Sequence, residues 1–596
     1  MSGIKVNTTE DIIIFADIDR EFGAFMLRKS GVFFRELQLA GMLLMYELRS
    51  GNPQLDLKLY GGKKFENKYG DIETFPDPVR WYSVLSDSGL THVIAGSWTV
   101  ESTALLVLTG DCTLMLKRYA GFEELIKQKL LSRRCYQSSF DTDFTLSGDP
   151  AADLAVFTAL NSRLLVLTGG PGTGKTTLCG RIIREILLRD PEKKIILAAP
   201  TGKAQQRLIS QIRESADLLP QDSAARQTMK SVSGATLHRF ICNREWRNQL
   251  EFCDVLVMDE CSMVSLEMFA TVLKLLPDSA SLILVGDRRQ LSAVESSTVF
   301  SDICSAGKAN LLPETASAEI RDIFMTASAE PGKNDFSGYI IELKKNHRSA
   351  QAPTICRLAA MMSEDQMDVD TVMSEIVNSS AYDFRFYAGT QGEIVAAVKE
   401  KCRMFKDLPH LCSSGDYSQI TEALVRMEKF RFLCAVNNDV CGTAGINLLI
   451  LNELGILPTG SRGWQPGTML MIKENDFRSS LCNGDCGIVT REDAGNGSGE
   501  KIFVRFTCCP ERRFTLSELP PHECGFAISV HKAQGSGYED VFFILPGYNS
   551  RVLDRKLFYT GITRAAKHVE IWGSVDEMRF ALTNNRTHAS NLFQRT

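Results

Sequence analysis

Residues 164–177 read LLVLTGGPGTGKTT, and this stretch decides the fold. The apolar run Leu164 to Leu167 fits a parallel strand buried on both faces, and Thr176 to Leu188 carries apolar residues at helical spacing. Between them stands the pattern G-x-x-x-x-G-K-T, formed by Gly169, Gly170, Pro171, Gly172, Thr173, Gly174, Lys175 and Thr176. Its glycines let backbone N–H groups close around phosphate oxygens at the positive end of a helix. Lys175 then reaches the β- and γ-phosphates, and the Thr176 hydroxyl ligates Mg²⁺. A nucleoside triphosphate is the first expected ligand.

The composition sets the frame around this loop. At 596 residues the length predicts about four domains. A charged fraction of 23% and a net charge of −5 exclude a histone-like or tail-rich protein, so nucleic-acid binding must come from local patches. No stretch approaches a membrane span, and the start MSGIKVNTTEDIIIF lacks the layout of a secretion signal, so a cytoplasmic protein without membrane contact is expected. The 17 cysteines are scattered and read as reduced core residues. The tightest group, Cys482, Cys486, Cys508, Cys509 and Cys524, contains no C-x-x-C pair and argues against zinc. Ser305 to Gly338, rich in Ala, Ser, Glu, Pro and Gly, reads as a link between two larger units.

Downstream of the loop the same strand-then-polar-tip arrangement recurs. Ile195 to Ala199 is a predicted strand followed by Thr201, Gly202, Lys203 and a helix, with Thr201, Lys203 and Arg207 placed to offer phosphate contacts. SGATLHRF brings Thr236 and His238 together. The strand Val255 to Met258 ends in Asp259-Glu260, two carboxylates where an unpartnered charge is costly. Asp259 suits Mg²⁺ held through water, and Glu260 suits polarisation of the water that attacks the γ-phosphate. Leu282 to Val285 leads to Gly286-Asp287 and Gln290, a neutral amide able to contact the γ-phosphate.

In the second half, Arg348 stands in KKNHRSAQAP, Arg431 to Val436 is a predicted strand, and Asn437 to Leu451 reads as a helix. GTMLMIKEND, NGDCGIVTRED and EKIFVRFTC then alternate strand-like runs with turn signals, as a small inserted antiparallel barrel would. Phe526 to Val530 is a strand leading into His531, Lys532, Gln534 and Gly535, and LFYTGITRAAKHVEIWG places Arg564 on a helix before a closing strand, Val569 to Trp572. Arg348 and Arg564 are the type of residue that, supplied across a cleft, stabilises negative charge on a transferring phosphoryl group. Isolated E-x-K triplets such as Glu342-Leu-Lys344 lack a companion acidic cluster, so no nuclease is written here.

The ordered set GGPGTGKT, APTGKAQQRL, MDECSMV, VGDRRQLSAV, NHRS, VHKAQGS and YTGITRA resembles the superfamily 1 helicases, within them the RecD-like group and its exodeoxyribonuclease V alpha-subunit type. That resemblance implies an α/β fold with two RecA-like P-loop NTPase domains built on parallel sheets, a small SH3-like β-barrel insertion at about 462–522, and a mostly helical N-terminal domain. The implied division is 1–140 for partner docking, 141–340 for the first motor domain and 341–596 for the second. It also implies ATP-driven 5′→3′ translocation on single-stranded DNA, entry at duplex ends, and RecB-like and RecC-like partners, the former holding the nuclease. Carried over by position, Lys175, Thr176, Asp259, Glu260, Gln290, Arg348 and Arg564 form the ATPase set. Thr201, Lys203, Thr236, His238, His531, Lys532 and Gln534 become candidates for DNA contact or for coupling DNA to ATP.

Two departures stand out. Relatives place a glutamine about 17 residues before the P-loop for contact with adenine, whereas this chain has Ala151, Ala152 and Asp153 there. The family also follows VHKSQGS with glutamate, whereas this chain has Gly537, with Glu539 the nearest substitute.

Overall fold

The computed structural model describes residues 12–31, 33–67, 69–94, 104–137, 139–291, 299–324, 326–327, 335–347, 350–364, 366–456, 464–476, 478–494, 499–547, 550, 552–584 and 593. Its first large sheet has six strands, all parallel, in the order Ser233–Thr236, Ile195–Ala199, Val255–Met258, Ser281–Gly286, Leu164–Gly169 and Ile340–Leu343. Runs such as VLVM and IILAA are buried on both faces, which is why they read as continuous apolar segments rather than alternating ones. Helices Lys175–Arg189 and Gly202–Ser215 pack against one another and return the chain between strands.

The second large sheet has five strands, all parallel, in the order Phe384–Ala388, Ala565–Gly573, Tyr538–Ile544, Phe430–Cys434 and Ala527–Ser529. Between two of these strands in sequence lies a five-stranded antiparallel sheet, ordered Cys509–Phe514, Glu500–Phe506, Cys486–Asp493, Met469–Ile472 and His522–Cys524. It has its own small apolar core around Leu470, Val489, Val504, Phe506 and Phe514. The fold is therefore α/β with parallel sheets, as expected.

Ahead of the first large sheet, helices Asp17–Ser30 and Arg35–Arg49 pack closely, and Trp81 is buried with its indole N–H donated to the Glu36 carbonyl at 2.7 Å. Two small sheets accompany these helices, one of three strands and one of four, which sequence reading did not foresee. The last helix of this region, Lys117–Leu131, buries Ile126 and Leu130 in the core of the first large sheet. Arg133, fully buried, donates to the carbonyls of Ala280 at 3.2 Å and Lys129 at 2.7 Å.

Two local expectations require correction. The helix expected from Asn437 begins at Thr443. Residues 437–442 form turns instead, with the Thr443 N–H bonded to the Val436 carbonyl and the Ala444 N–H to that of Asn437. Asn437 and Asp439 favour such local bonding over a helix interior. The segment 305–338 was expected to bridge two units, but its described part stays on the first. Phe324 of helix Ala318–Phe324 packs 5.1 Å from Phe157, and Asn310 exchanges hydrogen bonds with the Glu342 backbone. The chain then adds Ile340–Leu343 to the edge of the first sheet, so that sheet continues past residue 340.

Candidate functional site

The phosphate-binding loop joins strand Leu164–Gly169 to helix Lys175–Arg189, at the carboxyl ends of the parallel strands. Gly172 and Gly174 both have φ of +81°, a left-handed conformation that glycine adopts without steric cost. Lys175 Nζ donates back to the carbonyls of Gly169 at 2.7 Å and Gly170 at 3.0 Å. Thr176 is half-buried at the second helical position. Asn346 Nδ2 donates to the Pro171 carbonyl at 3.0 Å, and the His347 N–H donates to that of Gly172 at 2.9 Å, so the segment after Leu343 braces the loop. Arg348 lies outside the described residues.

Asp259 ends strand Val255–Met258 and is buried, and the Glu260 N–H donates to its Oδ1 at 2.8 Å. Burial, and then the charge of Glu260, push its pKa up to about 7 against the opposing charges of Lys175 and Arg207. Glu260 occupies a left-handed conformation at φ +51°, rare for a residue with a Cβ, which turns it out of the strand direction. A buried carboxylate held off its ordinary pKa beside an ammonium and glycine-rich backbone suits phosphates with a divalent cation. The donor set therefore fits a nucleoside triphosphate and its metal.

The second sheet supplies the opposite wall. Arg564, expected on a helix, instead stands in the turn after helix Arg555–Ile562; 4% exposed, it donates to the carbonyls of Thr560 at 3.2 Å and Ser536 at 3.1 Å. Burial lowers its pKa, while the charges of Glu260 and Asp287 on the first unit act to raise it, so the guanidinium sits in their field. Gln534 is buried too, and donates to the Leu291 carbonyl at 2.7 Å. It lies at the seam between the two sheets rather than on an open surface. Gln290 Nε2 donates to Asp287 Oδ2 at 3.1 Å. A cavity of about 530 Å³ opens beside the loop, lined in part by Gly170, Pro171, Arg289, Glu342 and Tyr559. Glu342, read above only as a chance triplet, pairs with Arg289 at 3.0 Å.

The nucleic-acid candidates fall into two groups. Thr201 caps helix Gly202–Ser215 by accepting from the Ala204 N–H at 3.3 Å, and a Cβ on Gly535 would stand 3.5 Å from its Oγ1. Lys203 Nζ lies 6.0 Å from the Tyr538 ring, so motifs more than 300 positions apart in sequence meet here. Thr236 pairs in register with Ala199 on the neighbouring strand; its buried Oγ1 has no hydrogen-bond partner among the described residues. His238 is exposed, Lys532 is exposed and ion-paired with Glu523, and burial lowers the pKa of the half-buried His531.

Both departures have structural outcomes. Asp153 is buried, accepts the Ser147 N–H at 2.9 Å and pairs with Arg181 at 2.7 Å, so it serves the fold. Glu539 pairs with Lys567 at 2.8 Å and Lys429 at 3.7 Å, and therefore does not replace the side chain missing at Gly537.

Sequence reasoning assigned no role to Asp287, Asn346, His347 or Tyr559, although each stands inside a quoted motif. It also missed Cys482, whose Sγ would lie 2.1 Å from a Cβ on Gly202, pressing the antiparallel sheet's loop onto the start of helix Gly202–Ser215.

Known proteins match along the same lines. Residues 152–296 match the AAA domain family, and residues 525–571 match the UvrD-like helicase C-terminal domain. The RecBCD enzyme subunit RecD of Mycolicibacterium smegmatis is 29% identical over 94% of this chain and 93% of its own length. The Haemophilus influenzae RecBCD enzyme subunit RecD is 27% identical over 74% and 71%. The ATP-dependent RecD2 DNA helicase of Deinococcus radiodurans is 24% identical over 71% of this chain and 49% of its own. A solved Pif1 helicase from Bacteroides, in complex with ADP-AlF3 and ssDNA, is 16% identical over 76% of this chain and 94% of that one, with a TM-score of 0.39, too slight a likeness to add to the argument. Among the described residues no helix is long and apolar enough to cross a membrane. With its motif series spread over two parallel sheets and the Mycolicibacterium smegmatis RecD subunit matched along almost its whole length, the chain is similar to the RecD-like superfamily 1 helicases.

Proposed function

We propose that this chain is the ATP-hydrolysing, 5′→3′ DNA helicase subunit of a RecBCD-type helicase–nuclease that acts on broken duplex ends in repair and recombination. The observation that carries this reading is the seam between the two units, where Gln534 of the second donates to the Leu291 carbonyl of the first at 2.7 Å and the Leu291 N–H donates to Thr560 Oγ1 at 2.9 Å, directly after Gln290. A loop so held depends on both units, which links triphosphate hydrolysis to their relative motion.

Within that reading, residues 141–343 and 344–596 act as the two motor domains, the first running past the expected limit at 340 through its edge strand Ile340–Leu343, the insertion at about 462–522 is of SH3 type, and 1–140 docks partners. The loop Gly169–Thr176 binds the phosphates of ATP, with Thr176 and Asp259 holding Mg²⁺ and Arg348 and Arg564 serving the γ-phosphate. The bound cation neutralises phosphate charge. Lys175 leaves its two backbone carbonyls for the phosphates, Glu260 takes a proton from the attacking water, and Gln290 orients that water. Thr201, Lys203, Thr236, His238, His531 and Lys532 line the DNA path, and Gln534 relays between that path and the loop after Gln290. RecB-like and RecC-like chains complete the assembly, and the nuclease resides in the RecB-like chain. The match to the Mycolicibacterium smegmatis RecD subunit over 93% of that protein's length, against 49% of the RecD2 helicase's, supports the subunit form over the free-standing one.

Strand displacement on tailed duplexes of DNA and RNA tests this reading. ATP-dependent unwinding of 5′-tailed DNA is expected; unwinding of 3′-tailed DNA or of RNA instead would overturn it.

A further inference from the structure

Gln290 reaches its working orientation through two neighbours, one of them on the other side of the cleft. An amide has a donor end and an acceptor end, and the side facing a carboxylate must be the NH₂. Asp287, 1% exposed, accepts the Gln290 Nε2 at 3.1 Å on Oδ2 and the Arg289 N–H at 3.0 Å on Oδ1. Gln290 Oε1 consequently points away from Asp287; it is buried and has no hydrogen-bond partner among the described residues. A buried acceptor without a donor is costly, and the ligand that satisfies it carries an O–H or N–H.

The third donor to Asp287 comes from the second unit. Tyr559, on helix Arg555–Ile562, donates its phenolic O–H to Asp287 Oδ2 at 3.0 Å. The phenolic oxygen of Tyr559 is 3.2 Å from where a Cβ on Gly170 would stand, so the phenol is wedged between the phosphate-binding loop and the Asp287 turn. Next to it, Thr560 Oγ1 accepts the Leu291 N–H at 2.9 Å, which fixes the residue after Gln290. The loop is anchored from below by the Arg288 N–H on Thr168 Oγ1 at 3.4 Å. When the two units separate, Tyr559 and Thr560 leave together, and Asp287 loses a donor while the turn loses its clamp.

We propose that Tyr559 is a positioning residue for ATP hydrolysis: through Asp287 it holds the Gln290 amide with Oε1 presented to the attacking water, so that this presentation exists only when the second unit is closed on the first. The inference rests on the ATPase reading above, within which Gln290 touches the reacting atoms and Tyr559 does not.

Tyr559→Phe removes the O–H and keeps the ring. DNA-stimulated ATP hydrolysis of the full chain should then show a kcat lower by about tenfold, equivalent to about 1.4 kcal/mol of transition-state stabilisation. The KM for ATP and the thermal midpoint should stay within about twofold and a few degrees of the wild type. A residue acting only on the fold would lower the midpoint and would add its effect to any other. The deciding measurement is therefore a cycle with Gln290→Ala: in that background Tyr559→Phe should cost nothing further. Unchanged kcat in Tyr559→Phe, or an undiminished tenfold cost in the Gln290→Ala background, overturns the proposal while leaving the ATPase reading in place. A wild-type chain without DNA-stimulated hydrolysis overturns both.

Discussion

Asp259 at the tip of the Val255–Met258 strand and Glu492 within the Cys486–Asp493 strand are both buried carboxylates, at 8% and 5% exposure, in opposite electrostatic settings. Burial opposes ionisation of Glu492, but Arg505 donates to it from Nε at 2.8 Å and Nη2 at 2.6 Å, Thr490 donates at 2.6 Å, and the carboxyl is held below its ordinary range. Asp259 has no cation at hydrogen-bond distance among the described residues; burial and Glu260 hold it well above that range. Glu492 is part of a finished structure that needs nothing more, whereas Asp259 carries an uncompensated cost that a bound cation removes. That contrast separates a carboxylate that holds the fold from one kept for chemistry.

The largest effect should come from Asp259→Asn, which removes the charge a cation would meet. Steady-state ATP hydrolysis should fall about a hundredfold or more with the fold intact; retained turnover would place the metal elsewhere. Glu492→Gln should do the reverse. It leaves the Arg505 guanidinium buried beside a neutral partner at a cost of about 3 kcal/mol in urea denaturation, while DNA-independent ATP hydrolysis below the transition stays at the wild-type rate. Equal stability of the two proteins would remove Glu492 from the comparison.

The smallest effect is on the stability of the metal-free chain. An unfolded Asp259 ionises near pH 4 at no cost, but the folded one holds its proton to about pH 7. Its stabilising contribution is thus complete below pH 4 and is lost as the pH rises to about 7. Asp259→Asn has no such loss, so in EDTA it should gain on the wild type by about 1 kcal/mol for each pH unit from pH 5 to about pH 7 and no further above that. A pH-independent difference between the two proteins would contradict the assigned burial of the charge.

The tips of the parallel strands were legible because each element there announces itself locally: a continuous apolar run, then glycine, a carboxylate or an amide where the strand ends. LLVLTGGPGTGKTT and VLVMDE needed no distant partner to be read. The seam was not legible. Tyr559 and Asp287 are 272 positions apart, and Gln534 and Leu291 are 243 apart. Nothing in YTGITRA distinguishes a tyrosine wedged against a phosphate-binding loop from one in a helix core. The contact of Cys482 with Gly202 likewise joins the antiparallel sheet to the first unit through one thiol and one missing Cβ, neither of which leaves a periodic trace. The start of the helix was misplaced because NNDVCG at 437–442 has its backbone hydrogen bonding captured by turns, so that the helix begins only at Thr443.

The most direct test of the central claim is ATP hydrolysis by the wild-type chain and by Lys175→Gln, each with and without single-stranded DNA, after their thermal midpoints have been shown to agree. The wild type should hydrolyse ATP and accelerate when DNA is added, and Lys175→Gln should be inactive in both conditions. Turnover by Lys175→Gln, or a wild type indifferent to DNA, would contradict the account.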